Sequence, residues 1–133
     1  MDRTEQYIKM SDCFEIQDRI PMCDVGDYFA TKGYGGWWFI DIMDDPYAHT
    51  FDRVIWLPRQ DQLQEMLVDA EHDCGSCPAW STESIVPNSD TPMWATSDMM
   101  GYATDWYDSP DKALLAFYMK VRHGKVWNGE AWV

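Results

Sequence analysis

Apolar residues recur at spacings of three and four in three parts of the chain, and gather into short runs between them. Tyr7, Met10, Phe14 and Gln17 carry the first such spacing, with Cys13 on the same face, and predict an amphipathic helix over residues 4–18. Ile20-Pro21 ends it, because a residue before proline is pushed out of the helical region. GDYFAT and GWWFIDIM follow, separated by KGYG, and their aromatic and β-branched content between glycines predicts a hairpin. DDPYAHTFD is turn-rich, and RVIWL is short and β-branched, as a third strand would be. Pro58 suits the first turn of a helix. RQDQLQEMLVDA then places Leu63, Met66, Leu67 and Ala70 on one face, so a helix is expected to end near His72.

The pattern weakens between residues 77 and 108. Two short strands are expected there, one near 79–84 and the other near 92–96 or 101–105. The final helix is sharply marked. Ser109 is an N-cap, Pro110 fits the first position, Leu114, Phe117, Tyr118 and Val121 form a buried stripe, and Gly124 closes the last turn. Asn128-Gly129 then signals a hairpin between Val126-Trp127 and Trp132-Val133. The order predicts one α+β domain over residues 1–133: a small, mostly antiparallel sheet packed by about three helices, with a C-terminal hairpin.

Composition changes this picture in one respect. At 133 residues and 46% hydrophobic content the chain can build its own core. Against 10 Lys and Arg, however, stand 23 Asp and Glu, for a net charge of −13. That field opposes direct binding to nucleic acid and to anionic membranes, and it steers basic partners inward. No apolar run approaches the roughly 20 residues needed to cross a bilayer. The opening MDRTEQYIKM has no secretory core, so the setting expected is a reducing cytoplasm with Cys13, Cys23, Cys74 and Cys77 as free thiols.

Candidate chemistry is sparse. His72-Asp73-Cys74-Gly75-Ser76-Cys77 holds the tightest thiol spacing able to chelate zinc, with His72 as a third ligand. The other cysteines form no second knuckle, and Pro78 follows where a redox motif would open a helix; loop thiols are therefore the simpler reading, and zinc the alternative. Asp41, Asp44 and Asp45 cluster near a strand end, as solvated acids often do. No serine-nucleophile or phosphate-cradling glycine motif is present, so no enzyme activity is expected. Eight Trp and nine Met are a surplus of the residue types that enrich interface centres. Trp37 and Trp38 fall on opposite faces of a strand, leaving open whether one sheet face meets a partner or helices cover both. Trp37, Trp38, Asp41, Asp44, Asp45, Trp94 and Trp106 are the candidate binding residues.

The stretches IWLPRQDQLQEML and ALLAFYMKVRHGKVWNGEAWV, with TEQYIKMSDCFEIQ at the start, resemble a group of small proteins carried by prophages of low-GC Gram-positive bacteria. The resemblance covers about a third of the chain, excludes HDCGSC, and brings no catalytic residue with it. It implies a phage or mobile-element origin and a bacterial cytoplasmic setting. Acidity, surplus aromatics and this setting together lead to the expectation of a phage accessory protein that binds a protein partner, in its most specific form an inhibitor or modulator of a basic, nucleic-acid-binding host protein.

Overall fold

The computed structural model of the chain describes residues 2–19, 26–33, 35–36, 38–42, 54–71, 80–85, 91–98 and 101–133. Its elements run α1 (Glu5–Ser11), α2 (Phe14–Gln17), β1 (Tyr28–Lys32), β2 (Trp38–Ile42), β3 (Val54–Leu57), α3 (Gln60–Glu71), β4 (Trp80–Ile85), β5 (Met93–Asp98) and α4 (Pro110–His123). The class is α+β, as expected, with the described strands divided between two antiparallel sheets. The chain groups into two compact units, Arg3–Arg59 and Gln60–Val133 with Met1–Asp2.

In the unit Arg3–Arg59, three strands lie in the order β2-β1-β3. The expected hairpin pairs Tyr28 with Ile42 through Lys32 with Trp38, and β3 pairs Phe29 with Trp56. The expected helix over 4–18 is instead two helices. Asp12 caps α1 with ψ 64°, and Cys13 is extended at φ −140°, ψ 155° before α2 begins. Ser11-Asp12-Cys13 has weak helix propensity, and Ser and Asp favour caps over helix interiors. The break resets the apolar face: Tyr7, Ile8, Met10 and Ile16 are buried, whereas Phe14 is 77% exposed. Cys13 is half-buried at the break rather than in the core, its thiol donating to Met10 O at 3.7 Å and joined in no disulfide.

Gln17 completes this unit. Its amide accepts from Trp56 N at 3.0 Å and donates to Trp56 O at 3.0 Å and Ser11 O at 2.7 Å. A side chain thereby replaces a fourth strand along β3. The buried Asp27 carboxylate is held by Arg59 at 2.6 Å, and the Tyr7 hydroxyl donates to Pro58 O at 2.6 Å.

In the other unit, α3 starts at Gln60, two residues beyond Pro58, which therefore precedes the helix rather than opening it. Leu63, Met66 and Leu67 are buried as the spacing predicts; the side chain of Ala70 lies outside the described residues. The helix packs on α4, which in turn covers β5. Ser109, Pro110 and Gly124 occupy their expected capping positions, Ser109 Oγ accepting from Lys112 N at 3.2 Å and Gly124 adopting φ 63°. The buried part of α4 is broader than a stripe, since Asp111 through Met119 are all buried. Lys112 is 1% exposed, and a buried ammonium needs anionic partners. Asp108 supplies one at 2.6 Å and Asp2 another at 3.6 Å. Asp2 also accepts from the Ser109 hydroxyl, and its backbone N–H donates to Asp111 Oδ2 at 2.6 Å.

The weak region resolves into a sheet in which both alternatives for the second strand take part. β4 pairs antiparallel with β5, and residues 102–107 return along the far side of β5. Trp94–Tyr107 sits one residue out of the register set by Thr96–Thr104 and Asp98–Tyr102, so Asp105 and Trp106 together lie opposite Ala95. That is a β-bulge, a device that re-aims side chains. The C-terminal hairpin closes through Trp127–Trp132 and paired bonds between Val126 and Val133. Its central pair is Gly129-Glu130 rather than Asn128-Gly129. Asn128 Oδ1 accepts from the N–H of Glu130 and Ala131, and Gly129 takes φ 106°.

Candidate functional site

Of the candidate binding residues, Trp38, Asp41, Trp94 and Trp106 are described. Trp37, Asp44 and Asp45 lie outside the described residues, as do His72, Cys74 and Cys77 of the zinc alternative and Cys23. Among the described residues no group of three His, Cys, Asp or Glu is placed to hold a metal ion. Likewise, no described helix is long and apolar enough to cross a membrane.

Trp38 and Asp41 share β2 but face opposite sides of the sheet, three positions apart on an element of period two. Trp38 is half-buried, with the Lys32 ammonium 5.5 Å from its ring centroid. Asp41 is exposed, and its Oδ1 accepts from Ile42 N at 2.8 Å. Two residues not singled out from sequence dominate the surface of this strand: Phe39, 59% exposed, and Ile42, 50% exposed. Phe39 lies over Gly33, where an added Cβ would meet the ring at 2.4 Å. A side chain at this position would displace the exposed ring.

The main-chain edge of β2 follows from Gln17. Both polar backbone groups of Trp56 turn to the Gln17 amide, away from β1, so Phe29–Trp56 is a non-hydrogen-bonded pair. Phe29 therefore directs its own groups to Asp41, and alternation turns those of Trp38, Ile40 and Ile42 outward. Among the described residues no strand lies beyond β2. One sheet edge is covered by a glutamine; the other is an apolar strand with outward-facing N–H and C=O groups.

Trp94 and Trp106 belong to the other unit. Trp94 is half-buried in β5, and Trp106, at the bulge, is 44% exposed. Beside them the structure forms a pocket of ≈ 70 Å³ whose wall includes Thr104, Asp105, Tyr107, Lys120, Lys125 and Trp127. Lys120 Nζ donates to Ala103 O at 2.7 Å. The Tyr107 hydroxyl is pushed up from its ordinary 10.0 to about 12, first by burial and then by the negative Asp105 beside it. Trp127 is 6% exposed, and its indole N–H is buried with no acceptor among the described residues.

Sequence reasoning missed this pocket because its parts come from three weakly connected signals. Lys120 reads as a helix C-terminal cation, Asp105 and Tyr107 fall in a segment without clear periodicity, and Trp127 reads as a hairpin residue. The bulge and the Gly124 cap bring them together. Comparison with protein families, with curated proteins and with solved structures finds no match for the chain.

Proposed function

We propose that this protein acts by binding a basic protein partner rather than by catalysis, and that the partner adds an extended segment along β2. The observation that carries the reading is the outer strand Trp38–Ile42, beyond which no strand lies among the described residues, with Phe39 59% and Ile42 50% exposed. Proteins normally blunt such edges with lysine, proline or a bulge, because an open apolar strand templates pairing with another chain. Here the only charge in the strand is the carboxylate of Asp41. Strand addition draws affinity from main-chain hydrogen bonds and specificity from alternate side chains.

The charge of −13 selects the sign of the partner. Lysine- or arginine-rich segments are steered toward the surface, at a rate that falls as salt screens the field. The resemblance to prophage-carried proteins suggests the setting, a bacterial host whose nucleic-acid-binding proteins offer such basic segments. In that form the carboxylates occupy the place of phosphates.

The test is retention of host proteins on the immobilised chain, compared with an Ile40→Pro variant. Because the Ile40 N–H points outward, proline there removes an edge donor without touching the bonds to β1. A basic protein should be held at about 50 mM salt, released at about 0.5 M, and lost from the proline variant. Equal retention by Ile40→Pro, or indifference to salt, would refute the reading.

A further inference from the structure

Given the edge-strand reading above, on which this rests, we infer that β2 selects an antiparallel strand of a stated pattern: a Lys or Arg opposite Asp41 and, two residues later, an apolar side chain opposite Phe39.

The direction of the main-chain groups decides which side chains an added strand meets. Those of Trp38, Ile40 and Ile42 turn outward, so these residues form the hydrogen-bonded pairs with a new antiparallel neighbour. Phe39 and Asp41 then fall at the non-hydrogen-bonded positions, where facing side chains stand closest. Two positions apart on a strand, they share one face. Both are exposed, with the Phe39 ring lying over Gly33. One face of the incoming strand therefore meets an aromatic ring and a carboxylate in fixed order. Its other face meets Ile42, 50% exposed, and the half-buried Ile40 and Trp38, an apolar row.

Charge sets the register. The Asp41 carboxylate stands near one end of β2, and at the other end the Lys32 ammonium lies 5.5 Å from the Trp38 ring centroid. A cation on the new strand is attracted to the first end and repelled from the second. Asp41 also acts in the free chain, where its Oδ1 accepts from Ile42 N at 2.8 Å and so occupies an outward donor. A partner carbonyl that takes over this N–H releases the carboxylate to the cation facing it. The same side chain thus blunts the edge when the strand is alone and selects the partner when it is paired. Antiparallel pairing is slightly more stable per residue than parallel, and in it the cation precedes the apolar residue in sequence. A second copy of the chain fits poorly, because two molecules of charge −13 repel and β2 itself carries no cation.

Two labelled peptides of identical composition separate residue order from total charge. GSVKTVTSG matches β2 when antiparallel, and its reversal GSTVTKVSG matches it when parallel. Fluorescence anisotropy should show the first bound about fivefold more tightly. Asp41→Asn, which keeps the shape of the side chain, should shrink that preference, and Asp41→Lys should invert it by placing like charges opposite each other. Ile40→Pro should bind neither peptide. Equal affinity for the two orders, lost in Ile40→Pro, would overturn the register and leave the edge-strand reading standing. So would a preference for the reversed peptide, or a preference unchanged in both Asp41 variants. No binding by the wild type, or binding that survives Ile40→Pro, would remove the reading and the inference together. A wild-type dimer in sedimentation, lost in Ile40→Pro and indifferent to the peptides, would assign the edge to a second copy and overturn the inference as well.

Discussion

Tyr107 shows how one residue's surroundings translate into a pH dependence. Burial and Asp105 both disfavour the phenolate, which lifts its ionisation from 10.0 to about 12 in the folded chain. Between those two values the unfolded chain has lost this proton and the folded chain still holds it. Stability therefore falls as pH rises through that window, and the contribution is fully present below pH 10. The site is open enough for solvent to screen part of the effect, so the loss should be of order 1 kcal/mol. Denaturation of wild type and Tyr107→Phe at about pH 9 and about pH 12 measures it. The wild type should lose more stability than the variant across that interval, and parallel losses would show that Tyr107 ionises like a free phenol.

At the scale of elements, α4 rests on an ion cluster at its N-terminus. Lys112 sits between Asp108 and Asp2, and Asp2 is tied to Ser109 and Asp111 as well. Replacing one member of a buried ionic group by an apolar residue leaves its partner charged and unanswered, which typically costs 3–5 kcal/mol. Half-exposed Asp108 tolerates the loss, but the Asp2 side chain is only 2% exposed. Lys112→Met should therefore lower unfolding free energy by about 2–4 kcal/mol. The double variant Asp2→Asn/Lys112→Met should recover part of it; a double loss equal to the sum of two singles would mean that the two charges do not interact. The caps around this cluster were readable from Ser109-Pro110 and Gly124, because capping depends on residues adjacent in sequence. The cluster itself was not, since nothing in the helical spacing of Lys112 pairs it with a residue 110 positions earlier. The same distinction explains the first helix. Its periodicity continued through Ser11-Asp12-Cys13, while local capping preference divided it. Gln17 fell on the expected face, yet its pairing with Trp56 spans 39 positions and no local rule predicts it. Strand order, the bulge at Asp105-Trp106 and the pocket depend on equally distant pairings.

For the whole molecule the dominant fact is an excess of thirteen negative charges. Two opposing electrostatic effects decide how stability responds to salt. Like-charge repulsion across the compact chain destabilises it and is relieved by screening. Ion pairs stabilise it and are weakened by the same screening. Among the described residues the pairs divide into two kinds. Lys9–Glu5 is exposed and contributes about 0.3–0.5 kcal/mol, so little is lost when it is screened. In Arg59–Asp27 and Lys112–Asp108 one partner is 1% exposed and in Lys112–Asp2 both are within 2%, so mobile ions reach these pairs from one side at most. Repulsion, carried by exposed carboxylates such as Asp41, Asp105 and Glu130, is more accessible to salt than these half-buried attractions. The thermal midpoint should therefore rise as NaCl goes from about 10 mM to about 300 mM, the range over which the screening length shrinks from about 30 Å to less than 8 Å. A midpoint that falls over this range would mean that exposed ion pairs outweigh repulsion.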